Sequence, residues 1–318
     1  MGSLVSPSRL AAEIYMAPRT PFFAALFIVV AASVSRAADP KPSVGAAPIK
    51  KGDFALTRSK EVKPKRLVVY KTIDDRKLEL HVFEPAGHKP SDRRPCFLAI
   101  HGGGWVAGTP TIMYCVCEDL ARRGWVCASM RYRLHKPTEG TTAWESVKDA
   151  RSAMRYLRTH AAELGIDPNR IVAGGRSAGG HLAAMTALGA GLDEATDDLK
   201  VSCVPDALVL FSPVIDTSAE GYGHELLASR WKELSPRHLV KPGLPPTIVL
   251  HGMRDTTTPF AGAKAFDEAM HAAGNQAQLI AHQRGSHSYA MRTQELFDEA
   301  MGQALAFLKS AGIESPNK

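Results

Sequence analysis

The chain lacks the patterns that several classes of protein require. None of its five cysteines stands in a C-x-x-C spacing, which argues against a zinc site. Cys96 and Cys127 lie in apolar runs and are expected to be core residues. The apolar run over residues 22–34 is shorter than the roughly 20 residues of a membrane-spanning helix, so no stable membrane anchor is expected. Lysine and arginine outnumber acidic residues 39 to 32 but are scattered, which argues against nucleic-acid binding.

The N-terminus has the pattern of an export signal. Arg19 precedes the apolar run, and Ser35 and Ala37 place small residues at the two positions that a signal peptidase reads. We therefore predict a signal peptide over residues 1–37, cleavage after Ala37, and a secreted or periplasmic protein. Met16 is an alternative start, because the segment that begins there makes a compact signal by itself. An uncleaved N-terminal anchor is the alternative to cleavage.

The rest of the chain is predicted to be a linker followed by one domain. Residues 38–65 are rich in proline, lysine, alanine and serine, which is typical of a linker. Residues 66–318 show no internal repeat and no second apolar core, so we predict a single α/β domain. Within it, the segments 66–73 and 77–83 are predicted to form an antiparallel pair at one edge of the sheet.

Strands and helices alternate through that domain, which predicts a mostly parallel sheet with helices on both faces. Further strands are predicted at residues 96–100, 125–130, 207–211, 247–250 and 277–281, with another leading into Ser177. Helices are predicted near residues 111–123, 144–161, 225–233, 260–273 and 295–310.

The stretch around Ser177 is predicted to be a nucleophile elbow. An apolar strand runs into Gly175-x-Ser177-x-Gly179, and a helical stretch of small residues follows. A side chain at Gly175 or Gly179 would collide with the neighbouring backbone of so sharp a turn. The turn places the Ser177 hydroxyl in the open at a helix N-terminus, so Ser177 is the candidate nucleophile.

A serine nucleophile needs a base and an orienting acid, and these follow a nucleophile elbow along the chain in the order acid, then histidine. Asp255 stands just beyond the strand that ends at residue 250, and His287 lies in the loop after the last strand. Loops at the carboxyl ends of parallel strands gather at one edge of a sheet. Asp216, after the preceding strand, is the rival acid, and Asp255 is favoured because its loop is the later one.

Three glycines follow the buried strand 96–100, and they predict the groups that would bind the oxyanion of the reaction. They let the backbone pass close to a bound acyl group, and we assign the N–H groups of Gly103, Gly104 and Ala178 to an oxyanion hole. His101 and Trp105 are expected to brace this loop. Three other histidines are set aside as the base. His181 is expected to pack, His251 to hydrogen-bond within its own turn, and His282 lies too close to the end of its strand to reach the serine.

Four motifs in order carry a resemblance to a known superfamily. HGGGW at 101–105, GRSAGGHLA at 175–183, HGMRD at 251–255 and GSHSY at 285–289 resemble the α/β-hydrolase superfamily and its esterase/lipase branch. That branch includes hormone-sensitive-lipase-like enzymes and bacterial acetylxylan- and feruloyl-esterase-like proteins. The likeness spans roughly residues 67–309.

Two departures favour the acetylxylan- and feruloyl-esterase-like side. Hormone-sensitive-lipase-like enzymes usually carry aspartate where this chain has Arg176, and they have an N-terminal helical cap. Residues 38–65 show no helical apolar face that would form one. Kynurenine formamidase-like enzymes share the overall pattern but typically carry HGG-x-W, so they are less favoured.

The resemblance implies a serine carboxylesterase that acts through an acyl-enzyme and needs no cofactor or metal. Together with the predicted signal and the lack of a large cap, it leads us to expect an exported enzyme that hydrolyses short-acyl esters. Its partner would be a small-molecule or polysaccharide ester, such as acetyl or feruloyl groups on plant-type polysaccharides; no oligomeric state follows. Alternatives are a peptidase or amidase of the same fold, or a non-catalytic binding protein. Specificity is expected to depend on residues 106–110, 135–143 and 212–245.

Overall fold

The computed structural model describes residues 53–315. The predicted signal peptide, its cleavage after Ala37 and the alternative start at Met16 lie outside these residues. Within them, no helix is both long and apolar enough to cross a membrane.

One eight-stranded sheet forms the centre of the domain. The strands are β1 Arg66–Ile73, β2 Arg76–Phe83, β3 Arg94–Ile100, β4 Val126–Met130, β5 Ile166–Arg176, β6 Ala207–Phe211, β7 Thr247–Gly252 and β8 Ala277–His282. Their order is β1-β2-β4-β3-β5-β6-β7-β8. The pairs β1–β2 and β2–β4 are antiparallel, and the other neighbours are parallel. The predicted α/β fold with an antiparallel N-terminal edge is confirmed.

Helices cover both faces of this sheet. They are α1 Phe54–Ser59, α2 Tyr114–Arg122, α3 Ala143–Thr159, α4 Ala161–Leu164, α5 Ala178–Leu188, α6 His224–Leu227, α7 Phe260–Ala272 and α8 Gln294–Ser310. In β3, Leu98 and Ile100 pack on the face covered by α3, α5 and α7, and Phe97 and Ala99 on the face covered by α2 and α8. This alternation explains why β3 is apolar throughout, since it is buried on both sides.

The longest helices form because their apolar faces match the sheet. In α3, Val147, Ala150 and Met154 recur at helical spacing and are fully buried. Its N-terminus is closed by a capping box, in which the backbone N–H of Thr142 donates to the Glu145 carboxylate at 2.8 Å. Such a cap stabilises a helix by about 1 kcal/mol, so α3 begins where the sequence signals it.

Two predicted boundaries need correction. Part of the predicted linker 38–65 is folded, because residues 54–59 form α1. The Asp53 carboxylate caps this helix by accepting from Leu56 N at 2.9 Å, and Phe54 packs on the Phe297 ring at 5.7 Å between centroids. Six residues are too few for a visible apolar period, so composition alone did not reveal the helix. In addition, β5 begins at residue 166, earlier than the apolar run near residue 171 predicted.

Candidate active site

The turn between β5 and α5 holds Ser177 in a strained conformation. Its φ of 56° and ψ of −122° lie where residues other than glycine are rarely found. Backbone hydrogen bonds secure it: Ser177 N donates to Phe211 O at 3.0 Å, and Ser177 O accepts from His181 N and Val214 N at 3.1 Å each. The serine is therefore presented at the edge of the sheet by a backbone that its neighbours fix in place.

The two glycines of the elbow are needed because it passes directly against β3. A Cβ atom at Gly179 would lie 2.0 Å from the carbonyl oxygen of Ile100, and one at Gly175 would lie 2.5 Å from the same oxygen. Backbone atoms on both sides leave no room for either to move. The steric collision expected from the sequence is thus present at both positions.

Three predicted residues meet at the carboxyl edge of the sheet. His287 Nε2 lies 3.0 Å from Ser177 Oγ, and His287 Nδ1 lies 2.8 Å from Asp255 Oδ2. Asp255 is fixed in turn, because its Oδ1 accepts from Thr257 N and Thr258 N at 2.9 Å each. A continuous hydrogen-bonded chain therefore runs from a buried carboxylate through an imidazole to the serine hydroxyl.

The surroundings of Asp255 keep it ionised. Burial by itself would raise the pKa of this carboxyl, but hydrogen bonds with His251, His287 and Thr258 N–H outweigh burial and hold the pKa well below its usual range. His251 stays within its own turn, as expected, with Nε2 donating to Thr258 O at 2.8 Å. At neutral pH the His287 ring therefore faces a full negative charge.

Asp216, the rival acid, is engaged elsewhere. Its Oδ1 accepts from Ser218 N at 2.9 Å, and its Oδ2 pairs with the Arg237 guanidinium at 2.6 Å. These contacts order the loop that follows β6. The structure brings Asp255, and not Asp216, to His287.

The glycine loop after β3 lies opposite the serine. Gly103 has a φ of 127° and Gly104 a φ of 61°, and Trp105 continues the turn at 66°. Gly103 O accepts from Val106 N at 3.1 Å, which closes the turn. Among residues 53–315, no backbone hydrogen bond described outside the helices and strands uses the N–H of Gly103, Gly104 or Ala178 as donor. These N–H groups remain candidates for binding an oxyanion.

Buried aromatic and imidazole rings hold this loop. His101 stacks on Tyr132 with 4.2 Å between ring centroids, and its Nδ1 donates to Gly102 O at 2.9 Å. Trp105 Nε1 donates to His181 Nδ1 at 3.2 Å, and His181 Nε2 donates to Leu234 O at 2.7 Å. Burial lowers the pKa of His181 to about 4, so it packs as a neutral ring. The predicted bracing and packing roles are confirmed.

A small cleft joins these elements. Its volume is about 280 Å³, and its lining residues are Leu56, Gly102, Gly103, Gly104, Ile112, Arg176, Ser177, Tyr222, Thr257 and His287. Tyr222 comes from the predicted specificity segment 212–245, whereas Leu56 comes from the predicted linker. Sequence reasoning missed Leu56 and Ile112, because a single apolar residue in a short segment carries no positional signal. A larger hollow of about 700 Å³, near residues 61–65, contains none of the residues predicted for the site.

The site offers no cluster of metal ligands. Across the part of the chain that the structure describes, no group of three or more His, Cys, Asp or Glu side chains is placed to hold a metal ion. All five cysteines are free and buried, and Cys96 and Cys127 lie in the core as expected.

Comparison with known protein families identifies the family of this chain. The family model BD-FAE matches residues 80–270, which include the glycine loop, the elbow and the Asp255 turn. The chain belongs to the BD-FAE family. Its fold and its motifs are those of the esterase/lipase branch of the α/β hydrolases, as the resemblance implied.

Solved structures of an esterase are similar to most of the domain. Esterase 2 of Thermogutta terrifontis, phosphoramylated by tabun, is 38% identical with a TM-score of 0.74, covering 79% of this chain and 96% of that one. The same esterase with propionate bound is 37% identical with a TM-score of 0.74, covering 80% and 96%. Esterase LipQ of Mycobacterium tuberculosis is 30% identical over 58% of this chain and 48% of LipQ. The chain spans about half the length of the curated relatives it matches.

Proposed function

We propose that this protein is a serine carboxylesterase that hydrolyses short-acyl esters through an acyl-enzyme. The observation that carries the proposal is the chain of hydrogen bonds from Asp255 through His287 to Ser177 Oγ, at 2.8 and 3.0 Å, beside a glycine-lined cleft. Nucleophile, base and orienting acid at these distances are the geometry that serine acyl transfer requires.

Acylation follows from the position of each group. Ser177 Oγ attacks the ester carbonyl carbon while His287 Nε2 takes the hydroxyl proton. The resulting tetrahedral oxyanion collapses when the bond to the alcohol oxygen breaks, and the imidazolium gives its proton to the leaving oxygen. The ionised Asp255 stabilises the imidazolium during both steps and keeps the Nδ1 proton in place.

Deacylation repeats the sequence with water. His287 Nε2 removes a proton from a water molecule that attacks the acyl-enzyme carbonyl. The second tetrahedral oxyanion then collapses as its bond to Ser177 Oγ breaks, the imidazolium returns its proton to Oγ, and the carboxylic acid is released. In both halves the oxyanion is assigned to the N–H groups of Gly103, Gly104 and Ala178. Each such donor lowers the barrier by on the order of 3 kcal/mol in enzymes of this kind.

The short-acyl assignment rests on the size of the cleft. About 280 Å³ is the volume of roughly nine water molecules at about 30 Å³ each, which is enough for a short acyl group. The T. terrifontis relative with propionate bound is consistent with this scale. Acetyl or feruloyl groups on polysaccharides and export by the N-terminal signal remain part of the proposal.

The decisive experiment compares wild-type protein with Ser177→Ala on p-nitrophenyl acetate, acetylated xylan and a feruloyl ester. We expect the wild type to hydrolyse short esters and the variant to lose this activity. A fluorophosphonate probe should label only the wild type, in line with the tabun adduct of the relative. Activity confined to long-chain lipids, faster turnover of a matched amide, or equal labelling of Ser177→Ala would contradict the proposal.

A further inference from the structure

Helix α1 forms one wall of the candidate active site, although it lies far from the other site residues in sequence. Leu56 lines the 280 Å³ cleft together with Ser177 and His287. Ile112, from the loop between β3 and α2, lines the same cleft. They are the two aliphatic side chains among the residues lining the cleft, and the other lining residues are polar, glycine or aromatic.

An ion pair fastens this wall to the catalytic elements. Arg176 directly precedes the nucleophile, and its guanidinium contacts Asp53 Oδ2 at 3.1 Å. The Nε of the same arginine donates to Ser288 Oγ at 2.7 Å, and Ser288 directly follows His287. Arg176 thus ties the start of α1 both to the elbow and to the loop that carries the base.

Further contacts hold α1 along its length. Phe54 N donates to Arg292 O at 3.1 Å, and Ala55 is buried with 1% of its surface exposed. At the other end, Ser59 Oγ accepts from Cys115 N at 3.0 Å, and Arg58 pairs with Glu118 at 2.8 Å. Because both ends and the buried face are secured, Leu56 is a fixed boundary of the cleft.

We propose that α1 is a specificity element of the ester site, in which Leu56 limits the length of the acyl group and the Asp53–Arg176 pair holds Leu56 in position. This inference rests on the proposed function. The acyl group is the constrained part, because it stays bonded to Ser177 Oγ after the alcohol leaves. Its chain must then share the small cleft with Leu56 and Ile112.

The test compares kcat/KM for p-nitrophenyl octanoate and p-nitrophenyl acetate. In Leu56→Ala, the octanoate-to-acetate ratio should rise by about tenfold or more, because one methylene in a hydrophobic pocket is worth roughly 10- to 200-fold in specificity. In Leu56→Phe, the butyrate-to-acetate ratio should fall, since the cleft becomes shorter. Thr57→Ala is the matched control, because Thr57 lies on the same helix, is exposed and does not line the cleft.

The ion pair is tested separately with Asp53→Asn. Its octanoate-to-acetate ratio should rise by less than that of Leu56→Ala, because the helix is loosened but the leucine remains. Circular dichroism of each variant identifies any that fails to fold. Because Leu56→Ala should raise the preference for longer acyl chains and Leu56→Phe should lower it, either variant tests the inference if the other does not fold.

The outcomes separate the two proposals. If wild-type protein hydrolyses no ester, the proposed function fails. If it hydrolyses short esters but the folded Leu56 variants keep the wild-type chain-length ratios, the specificity role of α1 is refuted. An unchanged ratio in Asp53→Asn beside a raised ratio in Leu56→Ala would overturn the role of the ion pair.

Discussion

Replacement of Asp255 by asparagine should remove most of the catalytic activity while leaving the fold intact. The backbone N–H groups of Thr257 and Thr258 both donate to Oδ1 at 2.9 Å, so the asparagine carbonyl oxygen will take that place. The amide nitrogen must then occupy the Oδ2 position, 2.8 Å from His287 Nδ1. Because an amide N–H is a donor, it favours the imidazole tautomer with its proton on Nε2.

That tautomer cannot accept the serine proton, because Nε2 faces Ser177 Oγ at 3.0 Å and would already carry a proton. The expected loss in kcat is about 10⁴-fold, as for the equivalent change in known serine hydrolases, or about 5.5 kcal/mol of transition-state stabilisation. The measurement is steady-state hydrolysis of p-nitrophenyl acetate, with circular dichroism as the check on folding.

Asp216→Asn is the matched control. Asp216 lies after the neighbouring strand and pairs with Arg237, so its replacement should change kcat only a few-fold. A folded Asp255→Asn variant that lost less than tenfold in kcat would refute the reasoning about the tautomer. A larger loss of kcat in Asp216→Asn than in Asp255→Asn would show that the acid lies in the loop after β6 and not in the loop after β7.

Two further predictions concern the elbow and the ion pairs that Glu194 forms with Lys71 and Arg133. Gly179→Ala should destabilise the protein by about 1–3 kcal/mol, because its Cβ would lie 2.0 Å from the carbonyl oxygen of Ile100. Gly302→Ala in α8 is the control, because its Cβ would meet open space, and it should stabilise the protein by about 0.5–1 kcal/mol. Thermal unfolding measures both changes. Glu194 is partly buried, which by itself raises its pKa, but Lys71 and Arg133 lower the pKa from 4.5 to about 2. Its stabilising effect is therefore full above pH 4.5 and lost as the pH falls towards 2, and Glu194→Gln should flatten the pH dependence of unfolding in that window.

Much of the fold could be predicted from the sequence because the strands are buried on both sides. The strands predicted at residues 125–130 and 207–211 coincide with β4 and β6 to within one residue, and every residue of both strands is buried. Once the strands are parallel, the loops at their carboxyl ends must gather at one edge. For this reason Ser177, Asp255 and His287 could be placed together although over a hundred residues separate the first from the last.

The choice between the two aspartates could not be made from local sequence. Asp216 and Asp255 each follow an apolar strand by a few residues, and β6 and β7 are neighbours in the sheet. Only the packing of the loops decides which carboxylate points at the imidazole. In the structure, Asp216 is drawn to Arg237 and Asp255 to His287.

The sequence by itself determined the fold class, the elbow and the loops that carry Ser177, His287 and the acid, because each depends on a local pattern or on the order of strands. The tertiary structure decided what surrounds them. Helix α1 has six residues and no period of its own, and it is held by contacts with Arg176, Phe297 and Glu118 that lie distant in sequence. The size of the cleft follows from these long-range contacts, which no local pattern encodes.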